Sequence, residues 1–546
     1  MKVALLLDKG QRNYLAEELL QRSKNKKISF RIDTVIFLSP VHRRDAAGAV
    51  NFLRRRGFRK FVRKSIFKII EWLSTRVLNS ELKFWHEFES YVESLESFEL
   101  TFYLNTKGRR VFTEESLQII RECHDLVGLR CCGGILGDNI LESFEEGIYS
   151  LHHGDNRWNR GQPPGWWEVF LQTPTTGFVV QKLTKDLDGG EVVCRGSIAT
   201  DFFYTRNRKK VFDSSISHFL DVIELVKKGV VAAESGLPYF GTYYSFPPLR
   251  KQLLLLFRQL LIMSGKLFLK LNKRGYVWNV GFQKLDAWRN ASLGKLTWVL
   301  NPAGSFLADP CILVVQGKTF IFVEQYIYKE KKGVVSVIEV EDNNNYFIHE
   351  RILEELFHLS FPFVFTKNGK LYMIPETAQA NEVRLYESES ALGPWRFKKI
   401  LIKNVRAVDV CFFNHEGLDW LSFTGGCSNS DVFSQYNLYY SVDIEENEFH
   451  PHDANPIRLD GGMERNAGLI LCPNEGLFRV SQIKEFDSYG DGIIVRKVGT
   501  ISKSRYTEEL VSVLRPMFNP AFNGVHTFNY RDGFAVIDAF KLGKRV

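Results

Sequence analysis

Cysteine is scarce in this 546-residue sequence, and the few that occur exclude two classes of protein. The eight cysteines are irregularly spaced, form no CxxC pair and follow no secretory leader. That pattern argues against a disulfide-stapled scaffold or a zinc ribbon and predicts reduced thiols in a cytoplasmic protein. Cys131 and Cys132 are adjacent, a poor geometry for a disulfide or a metal knuckle, and read as small buried apolar residues. Low-complexity tracts are absent, and a content of 45% hydrophobic residues, rich in Phe, Tyr and Trp, excludes a disordered chain. Neither basic segment of the chain holds the roughly eighteen uninterrupted apolar residues that a membrane span requires.

Acid is missing from those two segments. Residues 54–68, "RRRGFRKFVRKSIFK", hold eight Lys or Arg and no Asp or Glu; residues 249–274, "LRKQLLLLFRQLLIMSGKLFLKLNKR", again hold no acid. Each reads as an amphipathic helix with two alternative seats: on the protein with its cations in water, or on an anionic membrane surface, peripheral on the inner face. The formal charge of +9 is a modest excess that favours anionic partners without requiring nucleic acid, and no nucleic-acid partner is expected.

A chain of this length exceeds one hydrophobic core, and its rhythm changes partway. The opening "MKVALLLDKGQRNYLAEELLQRSKNKKISFRIDTVIFLSP" reads as strand, loop, amphipathic helix and strand, the start of an open, mainly parallel α/β sheet. After residue 275 short strands and turns take over, and one pattern recurs: "QGKTFIFVE", "NGKLYMIPE", "EGLDWLSFT", "EGLFRVSQ" and "DGFAVIDAF". Their turn glycines, Gly317, Gly369, Gly417, Gly476 and Gly533, are separated by 52, 48, 59 and 57 residues. That spacing predicts an all-β five-bladed propeller, with "YVWNVGF" at 276–282 completing the last blade. The boundaries follow as 1–245 for the α/β domain, 246–275 for a basic helical linker and 276–546 for the propeller.

Between the α/β strands lies "SLHHGDNRWNRGQPPGWWE", dense in polar groups and placed where ligands of open sheets gather, beyond the carboxyl ends of strands. His152 precedes Asp188, in "LTKDLDGG", by thirty-six residues. A carboxylate that fixes an imidazole tautomer makes an acid/base unit, though the spacing alone carries little weight. His153, Asp155 and Arg157 read either as substrate-facing groups or as a turn that hydrogen-bonds to itself. No metal is expected from His152, His153 and Asp155, since adjacent histidines rarely point at one ion.

The stretch resembles the formyltransferase family that includes methionyl-tRNA formyltransferase, glycinamide ribonucleotide transformylase and the sugar N-formyltransferases. The matching residues are His152, Arg160-Gly161 and Leu187-Asp188-Gly189-Gly190, with "GGILGDNILESFEEGIYSLHH" upstream. The resemblance implies transfer of a formyl group from 10-formyltetrahydrofolate to an amine of a nucleotide-linked or lipid-linked amino sugar. It further implies a donor site at Gly133, Gly134, Ile135 and Leu136, catalysis by His152 and Asp188, and substrate contacts from His153, Asp155, Arg157 and Arg160. Where the family carries Asn two residues before the His, this chain has Ser150; Asn156 is the substitute donor for the oxyanion.

The second half resembles the β-propeller at the amino terminus of plant glucosamine inositolphosphorylceramide transferases, similar in turn to glycoside hydrolases of the arabinanase and xylosidase type. "FLADPCILV", "LYMIPETAQANEVRLYE", "VDVCFF" and "RNAGLI" carry the likeness. It implies an axial site built from Asp309, Glu376 and Asp409, with Glu324, His358 and Arg465 as companions. Tyr372, Trp395 and Trp420 are read as sugar-stacking rings or, alternatively, as blade core. The rival readings are a glycoside hydrolase or sugar transferase centred on the propeller, and a glycan-binding protein without turnover.

Overall fold

The computed structural model describes all residues except 1, 25–30, 42–57, 83–84, 160, 186–189, 228, 230–240, 292, 342–344, 427–431, 433, 473–474, 487–488, 517–521 and 546. The chain divides into two units, one of Met1–Gln172 with Thr176–Gln259, the other of Thr173–Thr175 with Leu260–Val546.

In the first unit the strands are β1 (Lys2–Asp8), β2 (Thr34–Pro40), β3 (Glu96–Leu104), β4 (Arg109–Phe112), β5 (Leu126–Arg130), β6 (Ile135–Leu136), β7 (Ile148–His152), β8 (Thr175–Lys182) and β9 (Glu191–Ala199). They lie side by side as β9-β8-β7-β5-β1-β2-β3-β4-β6. Pairings β7-β5, β5-β1, β1-β2 and β2-β3 are parallel, whereas β3-β4 and β7-β8 are antiparallel, so the sheet is mixed. Alternation along β1 shows how the sheet is covered on both faces. Val3, Leu5 and Leu7 join one core with the helices Tyr14–Lys24 and Tyr204–Lys227, while Ala4 and Leu6 join another with Leu117, Ile120 and Ile140. From β1 the chain passes to β2 and β3 on one side and returns to β5 and β7 on the other. The order therefore reverses between β1 and β5, where an open sheet leaves a crevice at its carboxyl ends.

Beyond the end of the helix Leu249–Leu271, the second unit is built of β-sheets and is propeller-like. Two separate four-stranded antiparallel sheets start with Ser305–Val315 and Ser360–Lys367. Further antiparallel runs start with Arg406–His415, Asn466–Cys472 and Gly524–Arg531. Each of the five starting strands touches the next, and the last touches the first, which closes a ring. The strand Arg274–Lys284 pairs along its length with the final strand, from Arg274 opposite Lys544 to Lys284 opposite Phe534.

The recurring turn glycines all occupy the first hairpin of a sheet with positive φ, between 75° and 95°. At four of them the preceding residue, Gln316, Asn368, Glu416 or Asp532, also has positive φ. Two successive left-handed residues make the tight turn whose twist matches its flanking strands. Every starting strand also slips register at one place: Ala308/Cys311, Ser360/Phe363, Val408/Cys411, Asn466/Gly468 and Val525/Phe528. A bulge re-aims the side chains at the slip, and Asp309 and Asp409, with φ of 53° and 52°, sit within two of them.

The helix Leu249–Leu271 meets, by length and a mean hydropathy of 1.4, the requirements for crossing a membrane, although no stretch of it is free of cations for eighteen residues.

Candidate functional site

Three parallel strands of the first unit end in polar residues: β1 in Asp8, β5 in Arg130 and β7 in His152. Asp8 at the switch point accepts 2.8 Å from the backbone N–H of Gly133 and 2.5 Å from Arg110 Nη1. Arg130 donates through Nη1 to Ser150 Oγ (3.3 Å) and through Nη2 to the carbonyl of Gly134. These contacts fix the Gly133-Gly134 turn; Gly134 has φ of 69°, and a Cβ there would fall 2.8 Å from Arg110 Nε. Ile135 is exposed and Leu136 buried, the two forming β6 beside β4.

Strand β7 absorbs "SLH", so the polar loop starts only after His152. The His152 ring turns toward Gly154, where an added Cβ would meet Nε2 at 3.2 Å. His153 stacks on Phe212 at 4.0 Å and 9°, and its buried Nε2 has no hydrogen-bond partner among the described residues. Burial, aided by the neighbouring His152, pushes its pKa down to about 3, so the ring is neutral at physiological pH. Asp155 is taken up locally: Arg157 grips it (Nη2–Oδ2 2.7 Å), and Arg195 Nη1 reaches it at 3.0 Å. Burial raises its pKa, but the bonds from Arg157 and the charge of Arg195 outweigh that and hold the carboxyl below the usual range. Arg195 also donates to Asn156 Oδ1 at 2.6 Å. Asn156 is buried, and its Nδ2 has no hydrogen-bond partner among the described residues. Asp188 and Arg160 lie outside the described residues, so the pairing of His152 with Asp188 has no geometry here.

The second unit gathers charge where its starting strands meet. Asp309 accepts from Thr527 Oγ1 (3.1 Å) and from the Phe361 backbone N–H (3.3 Å). His526 bridges two acids, Nε2 lying 3.1 Å from Asp309 Oδ1 and Nδ1 2.7 Å from Asp538 Oδ1. Asp538 also receives the Asp309 N–H at 2.9 Å. Arg465 grips Asp409 with two bonds, Nε–Oδ2 2.5 Å and Nη2–Oδ1 3.2 Å, and lies 3.9 Å from Glu376 Oε2. His358 accepts from the Gly333 N–H at Nδ1 (2.9 Å), which leaves Nε2 as its N–H facing Glu324 Oε1 at 3.5 Å. Gly333 is required at this crossing, since a Cβ would come within 2.3 Å of the Leu359 carbonyl and 2.8 Å of Glu324 Oε1.

Five carboxyls thus share this centre with two groups of opposite charge, and their protonation states separate. Burial raises His358's neutral form by lowering its pKa. Burial, then the charges of Asp309 and Glu376, drive the pKa of Glu324 well above the usual carboxylate range. Burial and Asp409 raise Glu376 to about 8. Burial opposes ionisation of Asp309 too, but His526 and Arg465 overcome it and hold that carboxyl down at about 2. Burial lowers the pKa of His526, yet Asp538 and Asp309 raise it to about 10, which makes it an imidazolium at neutral pH. Asp409 is pushed up by burial, an effect that the charge and two-bond grip of Arg465 oppose. Asp309, His526 and Asp538 also offer three ligand atoms close enough for one metal ion. Both ring nitrogens of His526 are instead committed to carboxylates, so the imidazolium supplies the cation of this trio.

Sequence reasoning therefore named Asp309, Glu324, His358, Glu376, Asp409 and Arg465, and the structure brings all six together. It missed His526, Asp538 and Thr527; "DGFAVIDAF" was visible as a repeat, but nothing in it singled out Asp538 as axial. The aromatic residues resolve to the core: Tyr372, Trp395 and Trp420 are 0%, 7% and 1% exposed and belong to one hydrophobic cluster, so none presents a face to a sugar.

Residues 296–529 match the model of the family "Glucosamine inositolphosphorylceramide transferase 1, N-terminal". Glucosamine inositolphosphorylceramide transferase 1 of Arabidopsis thaliana is 33% identical over 213 residues, 37% of this chain and 27% of that protein. The match thus spans about a quarter of the length of the curated relative. Among solved structures, a sugar N-formyltransferase from Shewanella covers 45% of this chain and 77% of its own, at 10% identity and a TM-score of 0.26. A thermostable family-43 glycoside hydrolase covers 44% and 90%, at 16% identity and a TM-score of 0.32.

Proposed function

We propose that this chain is a glycan-handling enzyme whose sugar site is the axial cluster of a five-bladed propeller. The cyclic contacts of five starting strands support the blade count, and the match of residues 296–529 to a family named for a glycolipid transferase supports the substrate class. One observation carries the reading: neighbouring carboxyls sit in opposite protonation states at neutral pH, Glu376 at about 8 and Asp309 at about 2. A carboxylic acid that keeps its proton beside a carboxylate that does not is the pairing in which the acid protonates a glycosidic oxygen and the carboxylate activates the attacking water or itself attacks the anomeric carbon. His358, Arg465 and Glu376 are the partly open members, with side chains 25%, 17% and 14% exposed, so a sugar hydroxyl meets them first. Incubating the full chain with a panel of aryl glycosides and glycolipids tests this. Turnover or saturable binding that Glu376→Gln and Asp309→Asn remove supports the site, and signal retained in both variants refutes it.

A second reading belongs to the first unit: transfer of a formyl group from 10-formyltetrahydrofolate to an amine of a nucleotide-linked or lipid-linked amino sugar. Asn156 Nδ2, a buried donor with no partner in the loop after His152, favours it, because an oxyanion is the ligand such a donor lacks. The crevice at β1 and β5, edged by Gly133–Leu136, is the place for the folate, which supplies an activated one-carbon group when bound. His152 and Asp188 then serve to move a proton from the attacking amine, and Asn156 to hold the oxyanion. Ser150 is buried and bonded to Arg130, so it is a support for that arginine. Radiolabelled formyl transfer to amino-sugar nucleotides, lost in His152→Ala and Asn156→Ala, is the expected result; none above background in the wild type excludes the reading.

A further inference from the structure

The helix Leu249–Leu271 is seated inside out. Its inward residues include Gln252 and Gln259, whose Nε2 atoms donate to the carbonyls of Pro247 (2.9 Å) and Phe202 (3.0 Å). Leu253, Phe257, Leu260, Leu261, Phe268 and Leu271 are all at least half exposed. Spacings of three, four, seven and eight residues place them on one stripe, the stripe that a soluble helix normally buries. The helix rests on protein through Gln252, Leu255 and Gln259 and turns most of its leucines outward along with its cations.

The helix Phe58–Val77 is arranged in the same way. Its one acid, Glu71, is turned inward and bonded by Arg208, while Ile69, Trp72, Leu73 and Val77 are 58%, 52%, 50% and 67% exposed. Arg76 covers the Trp72 ring at 4.4 Å. The two helices flank one cleft, lined by Phe67 and Ile70 from one and Leu255 and Leu256 from the other. Together they present apolar side chains among Lys68, Arg76, Arg250 and other cations, with no exposed acid on either helix.

We propose that this face docks the protein on an anionic bilayer, both helices lying in the plane of the interface. Charge selects the occupant: a second copy of the chain would set cations against cations, whereas acidic headgroups neutralise them while the acyl region takes the Leu, Phe and Trp side chains. Lying in the plane, and not crossing, follows from the seat. A span would break the Gln252 and Gln259 bonds and draw Arg258, mid-helix and bonded to the Phe170 carbonyl at 3.2 Å, into hydrocarbon. The inference is independent of the sugar site and of formyl transfer, and extends the chain's partners to the lipid surface itself.

The test is flotation of the full chain with vesicles of phosphatidylcholine alone or mixed with phosphatidylglycerol, at low and high salt, with light scattering of the free protein alongside. The expected result is recovery with the anionic vesicles only, weakened by salt. Phe257→Glu with Leu261→Glu should lower partitioning about a hundredfold, and Arg76→Gln with Arg250→Gln about tenfold. All these positions are exposed, so an unchanged thermal transition is the check that each variant folds. No flotation, flotation indifferent to both sets of variants, or a dimer that the Phe257/Leu261 variant dissociates would each overturn the proposal.

Discussion

The loop after His152 and the centre of the second unit both concentrate polar residues, but they balance them differently. In the loop the charges are consumed locally: Asp155 is held by Arg157 and Arg195, and what is left over is hydrogen-bonding capacity, at Asn156 Nδ2 and His153 Nε2. At the axis the surplus is charge. Among the described residues, Asp309, Glu324, Glu376, Asp409 and Asp538 share the centre with two cations, Arg465 and His526, so the pKa values of Glu324 and Glu376 are driven up. A loop can trade charges between near neighbours in sequence, whereas five strands converging on one point bring like charges together whatever their separation along the chain.

This difference predicts the size of mutational effects. Removing the imidazolium by His526→Phe leaves Asp309 and Asp538 buried without a counter-charge, and a loss of about 3–5 kcal/mol is expected, read as a lowered thermal transition. The next effect is on pH dependence. His526 is raised from its usual 6.5 to about 10, so its contribution is complete below pH 6.5 and is lost as pH rises toward 10. Glu376 is also raised, from 4.5 to about 8, so its ionisation costs the fold stability over that interval. The wild type should therefore melt lower at pH 9 than at pH 6, and Glu376→Gln should shrink that difference while changing little near pH 4.5. Asp309 acts at the other end: lowered from 3.8 to about 2, its contribution is present above pH 3.8 and disappears as pH falls toward 2.

Smaller effects are expected in the loop. Asp155→Asn removes a partly solvated pairing and should cost about 1 kcal/mol or less. Asn156→Ala removes one bond from Arg195 but also an unsatisfied donor, and should be near neutral in stability whatever it does to activity. A loop variant that destabilises more than His526→Phe would break the comparison.

What could be read from sequence follows the same division. The five turn glycines were legible because a two-residue turn writes its signature locally, as a glycine with positive φ between strand-forming residues. Asp309 and Asp409 were legible through the resemblance that "FLADPCILV" and "VDVCFF" carry. His526 was not, because its position depends on a register slip in Gly524–Arg531 that leaves no mark in "GVHTF". The cluster motif around His152 was legible as a contiguous string, yet which of its charges were already paired depended on Arg195, forty residues after Asp155. Both basic helices announced an amphipathic stripe; periodicity says that a stripe exists and not which side of the helix meets the protein, so the inward seat of Gln252, Gln259 and Glu71 required coordinates.

Sugar binding at the axis is the central claim, and calorimetric titration of the full chain with mono- and oligosaccharides at pH 6 and pH 9 tests it most directly. The predicted result is saturable binding at pH 6 that weakens at pH 9 as Glu376 loses its proton, and that is absent in Asp309→Asn at both values. Binding of equal strength at both pH values, unaffected by Asp309→Asn, would contradict it.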